Sequence, residues 1–180
     1  KDIVKGEKEL NFSINKMYEM YLYLLALVVE MQDAAIEKIE AGKNKKLPTK
    51  EELMPNTKFV TNTHLRALAN SKVLANTLET NNISWANNKD LVKKVFKMVV
   101  ETEDYEEYMG SDTRGWDHSK EFLLRFFKRH IINEESLHEF FEEKSIFWND
   151  DLDLMAGMVI KTIKHIDEDG EDVELLQLWR

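Results

Sequence analysis

The stretch YEMYLYLLALVVE, residues 18–30, decides the fold class. Tyr21, Leu25 and Val29 recur at i, i+4 and i+8, with Met17 and Tyr18 one turn earlier. That is helical periodicity. Apolar side chains wrap most of the way round between Tyr18 and Val29, so this helix is expected to sit at the centre of a bundle. The pattern extends the helix over 11–41, ending at Gly42. A basic loop with Lys43, Lys45, Lys46 and Lys50 follows, broken by Pro48.

Working outward, composition points the same way. The 180 residues contain six Gly and two Pro, too few for the turns of an all-β chain. An apolar fraction of 43% with 33% charged residues is the balance of a soluble helical domain rather than a disordered chain. The ten uncharged residues 20–29 are too few to span a bilayer, which takes roughly 20. With no Cys, disulfides and thiolate chemistry are excluded, and a cytoplasmic location is expected. A net charge of −9 argues against a domain that grips nucleic acid by itself, since phosphate neutralisation supplies most of such affinity.

An internal repeat organises the remainder. Shifted by 63 residues, Phe59 falls on Phe122, Arg66 on Arg129, Asn70 on Asn133, Leu74 on Leu137 and Glu79 on Glu142. Ile83 then meets Ile146, Trp85 meets Trp148, and Asp90 and Leu91 meet Asp153 and Leu154. These nine identities in 33 gapless positions exceed chance several-fold. Each unit reads as a helix, a short helix, a Trp-containing turn and a longer helix. Asn87 and Asn88 in one copy, and Asp150 and Asp151 in the other, are candidate N-caps. Asp90 and Asp153 are expected in the first helical turn, where the dipole favours an acid. Val92, Phe96 and Val100 make a stripe that returns as Met155, Val159 and Ile163. The VVE of 28–30, repeated at 99–101, suggests a third, weaker copy within the long helix. The expected layout is all-α, a helical bundle of two packed lobes with the repeat at about 59–104 and 122–167. Its parts are a long helix and basic loop (1–56), repeat 1 (57–109), a linker (110–121), repeat 2 (122–170) and the start of a further element (171–180).

Candidate sites are few. Glu135 and His138 form E-x-x-H with Glu142 a turn later, but a di-iron bundle needs two such motifs and two more Glu. The repeat partners of Glu135 and His138 are Lys72 and Ala75, so a solvated helix face is the better reading. The acidic stretch 167–174 fails the calcium-loop pattern, with Gly170 at its fourth position rather than sixth. No nucleophile motif or phosphate-binding glycine loop occurs, and the five His residues are scattered. No catalytic residue, metal ligand or cofactor is expected. Trp85 and Trp148, at the same place in both repeats, are assigned to packing. Phe126 and Phe127, flanked by Arg125, Lys128 and Arg129, read as core aromatics with basic residues outside, or as a base-stacking platform. The loop lysines 43, 45, 46 and 50 are further phosphate-contact candidates.

The helix YLYLLALVVE (21–30), the Trp turn followed by DL, and the run IFWNDDLDLMAGMVIKTIK (146–164) together resemble the NusB transcription antitermination factors, most closely the longer NusB-like proteins. The resemblance runs over most of the chain. It implies an all-helical, non-catalytic, cofactor-free factor that regulates transcription. Such a factor binds boxA-type RNA together with a NusE-type small-subunit ribosomal protein and acts on the RNA polymerase complex. The family's arginine-rich first helix and its closing signature are not matched in this chain. The resemblance therefore implies a helical scaffold and protein-interaction piece of a longer gene product, without the family's own RNA residues. Two other readings stay open: a helical repeat adaptor unrelated to transcription, and a di-metal carboxylate protein.

Overall fold

The computed structural model of the chain describes residues 2–144, 148–166, 173 and 175; the side chains of 2–13 and 148–151 fall outside that description. The described residues are helices and connections, with no strand among them. The order is α1 (Asp2–Lys43), α2 (Lys50–Leu53), α3 (Thr63–Asn70), α4 (Lys72–Thr80), a 3-10 turn (Ala86–Asn88) and α5 (Lys89–Val100). Then come α6 (Glu103–Gly110), α7 (Trp116–Phe126), a π-helical turn (Phe127–Ile131), α8 (Glu135–Lys144) and α9 (Trp148–Lys164).

Helix α1 is the axis. Every residue from Met20 to Val28 is buried, so no face of this stretch meets water. α9, α5, α3 and α2 all pack on it, while α7 packs on α3, α6 and α9, and α8 on α9 and α5. Two long-range hydrogen bonds reach this apolar stretch, one from α9 and one from the turn before α5. The buried Tyr21 and Thr162 hydroxyls lie 2.6 Å apart, and the Trp85 indole donates to the Tyr23 carbonyl at 3.0 Å. Trp85 is enclosed by Tyr23 and Phe140, with ring centroids 5.4 and 4.5 Å away. α1 runs one residue past Gly42. There α2 approaches so closely that a Cβ on Gly42 would meet the Glu52 side chain at 3.3 Å.

At a 63-residue shift some element starts coincide and others do not: α3 shifted would fall on the end of α7 and the π-helical turn. α3 and α4 begin at 63 and 72, and α8 begins at 135, where α4 shifted would begin. Leu68, Leu74 and Val92 are buried, as are Ile131, Leu137 and Met155. Phe96 and Val159 are both buried, whereas Val100 is half-buried and Ile163 fully buried.

Some local expectations change. Helix α9 begins at Trp148, so Asp150 and Asp151 lie within the helix rather than capping it, and Asp153 falls past the first turn. In the first copy the chain makes a 3-10 turn instead, and α5 begins only at Lys89. Asp90 is in the first turn as expected, and Asn88 holds the N-cap position, but its side chain makes no capping bond. The stretch 110–121, read as a linker, is non-helical only over 111–115, because α7 already starts at Trp116. The Trp148 side chain and most of 167–180 lie outside the described residues; Val173 is buried and Leu175 packs on the core.

Candidate functional site

The predicted basic residues form two separate groups. Lys43 closes α1, Lys45 and Lys46 lie in the bend after it, and Lys50 opens α2; all four are exposed. Thr49 caps α2 in a reciprocal capping box with Glu52, which brings Glu52 to 2.6 Å from Lys45. The lysine and the Thr49 backbone hold the Glu52 carboxyl below its usual range. This corner roofs a cavity of about 510 Å³ whose walls include Ile39, Phe59, Phe96, Val100, Tyr105 and Met109. Leu47, Leu53 and Met54, on the same corner, are among the few large apolar side chains left exposed.

Arg125, Lys128 and Arg129 are exposed on α7 and the π-helical turn. Phe126 and Phe127 between them are buried in the core, at 1% and 0% exposure, so they offer no stacking platform. Arg129 donates to Asp104 at 3.2 Å, and His130 lies 2.8 Å from the same carboxylate. Burial works to raise the Asp104 pKa, but the hydrogen bonds from His130 and Arg129 outweigh it and hold the group below its ordinary value. Helix α6 separates the two groups, with Tyr105 and Met109 on the corner cavity and Asp104 on the α7 side.

Tertiary packing adds three basic residues that sequence reading missed. Asn62 caps α3 by accepting from the His64 and Leu65 amides. Its own amide donates to the Tyr108 hydroxyl at 3.1 Å and the Ser119 carbonyl at 3.0 Å. This knot fixes the preceding Lys58, which is only 7% exposed. The Lys58 ammonium donates to the carbonyls of Tyr108 (2.7 Å) and Ser111 (2.9 Å) at the end of α6, and to His118 Nε2 (3.0 Å). A cation on the last carbonyls of a helix answers its dipole. Burial, then the nearby Arg114 charge, lowers the Lys58 pKa; burial, then Lys58, lowers that of His118. Arg114, His118, Arg125 and Arg129 follow one another from the turn before α7 to the π-helical turn after it, with Glu121 between His118 and Arg125. The helical spacing of His118 to Arg125 was readable in sequence, but nothing local links Lys58 to residues 50 to 60 positions away.

The E-x-x-H face carries a different interaction. His138 Nε2 lies 2.7 Å from the Ile132 carbonyl, so that nitrogen carries a proton and donates it. Among the described residues no group of three or more His, Asp or Glu could hold a metal ion, and no helix is long and apolar enough to cross a membrane. Compared with protein-family models, curated proteins and solved structures, the chain has no match.

Proposed function

We propose that this chain is the helical scaffold and protein-interaction part of a NusB-like transcription antitermination factor, acting with boxA-type RNA and a NusE-type small-subunit ribosomal protein. One observation carries the reading. The segments that bear the resemblance, distant in sequence, pack on one another: the Trp85 turn donates to Tyr23, and Thr162 of the 146–164 run meets Tyr21.

The charge divides the labour. At −9 the chain repels a polyanion at long range and attracts a basic protein, so the RNA is held jointly with that partner. The partner-facing surface is assigned to the α1–α2 corner, where Leu47, Leu53 and Met54 stand exposed beside an apolar cavity. No catalytic step is part of this function.

The test is fluorescence anisotropy of a labelled boxA-type RNA titrated with the 180-residue chain, with and without the NusE-type protein. RNA binding that requires the partner is the expected result. Absence of any ternary complex, with the partner shown to be folded, refutes the assignment of this function to this chain.

A further inference from the structure

Between segment 56–63 and the start of α7 lies a second cavity, of about 290 Å³, lined by Thr57, Lys58, Thr61, Arg114, Gly115 and His118 among others. Its wall is polar, and no acidic residue contributes to it. Asp112 acts on Lys58 from outside, and Glu121 lines the adjoining cavity that shares His118. None of Lys58, Arg114 and His118 has an acidic ion-pair partner among the described residues. The Lys58 ammonium and the Arg114 guanidinium thus stand at a polar hollow that no carboxylate lines, a setting suited to an anion.

The donors can be counted. The Lys58 ammonium has three N–H groups, and its two carbonyls and His118 use all of them. It therefore supplies a fixed charge rather than a free donor. Because an ammonium cannot accept, His118 Nε2 must, and the proton of the neutral ring sits on Nδ1. That N–H has no partner among the described residues. Arg114 spends one N–H on the Ser111 carbonyl at 3.3 Å and keeps the rest of its planar fork. Gly115, at φ +116°, is the N-cap of α7 and offers no side-chain cap. The first amide bonded into the helix is that of Ser119, to the Gly115 carbonyl, so the amides of Trp116, Asp117 and His118 have no intrahelical partner among the described residues. A guanidinium fork, an imidazole N–H and an uncapped helix start beside a buried ammonium are complementary to a tetrahedral oxyanion.

We propose that this cavity is a phosphate-binding site, with Arg114 and the first turn of α7 contacting the phosphate oxygens, His118 donating from Nδ1, and Lys58 supplying charge from behind. The phosphate arrives either as a free or monoester phosphate, or as a backbone phosphate of RNA. The site rests on its own residues and stands apart from the assignment of the chain to antitermination.

The experiment follows the His118 imidazole C–H resonances of the 180-residue chain by NMR, titrating sodium phosphate against sodium chloride at equal ionic strength. A saturable shift in phosphate alone is expected, with the His118 titration midpoint moving up, because a bound anion favours the imidazolium. The Arg114→Glu chain should bind phosphate about tenfold or more weakly, and Arg114→Lys should retain part of the affinity. Arg114 is exposed, so both variants should keep the wild-type circular dichroism. Identical responses to phosphate and chloride overturn the site, as does wild-type phosphate affinity in Arg114→Glu. A second arm adds a short oligouridylate to the phosphate complex. Displacement names the RNA backbone as the source, and retention of phosphate names the free or monoester form; either result requires that the site exist.

Discussion

His64 is fully buried, its Nδ1 lies 3.1 Å from the Thr63 hydroxyl, and its Nε2 has no partner among the described residues. Its ring packs 4.0 Å from that of Trp116. Burial chiefly, with Lys120 adding to it and Asp117 opposing, lowers its pKa from 6.5 to about 4. The folded protein therefore binds fewer protons here than the unfolded chain. The stability this represents is complete above pH 6.5 and is lost as pH falls towards 4, by about 3 kcal/mol at most. Urea unfolding of the wild type and of His64→Phe at pH 7 and pH 4.5 should show the smaller acid loss in the variant; parallel losses would remove His64 as the cause. Trp85 separates packing from hydrogen bonding at another residue. Trp85→Ala should cost about 3–5 kcal/mol, and Trp85→Phe much less, near the ~1 kcal/mol of a single hydrogen bond, both read from urea midpoints.

At the scale of elements, the Asn62 knot joins α3, α6 and α7, adding hydrogen bonds to their aromatic packing. Asn62→Ala removes the acceptor for two fully buried amides, His64 and Leu65, and the donor to the Ser119 carbonyl. A loss of about 2–4 kcal/mol is expected, with hydrogen exchange accelerated first at the start of α3. A loss below 0.5 kcal/mol, the range of ordinary surface changes, would mean that the knot is incidental. Element boundaries were only partly legible in sequence. The stripes of α5 and α9 could be read because period and burial are encoded by neighbouring residues. The early start of α7 was hidden, since the acidic, Gly-containing stretch around it resembles a loop; its first-turn residue Trp116 is secured by the ring of His64, 52 positions earlier.

For the whole molecule, the apolar side chains left at the α1–α2 corner separate interaction from folding. Leu47 is 90% and Leu53 56% exposed, so the double substitution Leu47→Asp, Leu53→Asp should change folding stability by no more than about 0.5 kcal/mol per site. It should nonetheless weaken assembly with the NusE-type partner in the anisotropy titration. Unaltered assembly would move the partner-facing surface away from this corner.

The sequence by itself determined the all-helical class, the central place of α1 and the packing role of Trp85. The first two follow from composition and from spacing within a few turns of one helix, where 3.6-residue geometry settles which residue faces which way, and the third from the matching place of Trp85 and Trp148. It also singled out Lys43, Lys45, Lys46, Lys50, Arg125, Lys128 and Arg129 as phosphate-contact candidates, and all seven side chains are exposed. Only the tertiary structure decided that Phe126 and Phe127 are both core, that the two basic groups stand on either side of α6, and that Lys58, Arg114 and His118 share one hollow. Those outcomes depend on helices far apart in the chain meeting at a chosen angle. No local period records that choice, because it is made by the summed burial of the whole core around α1.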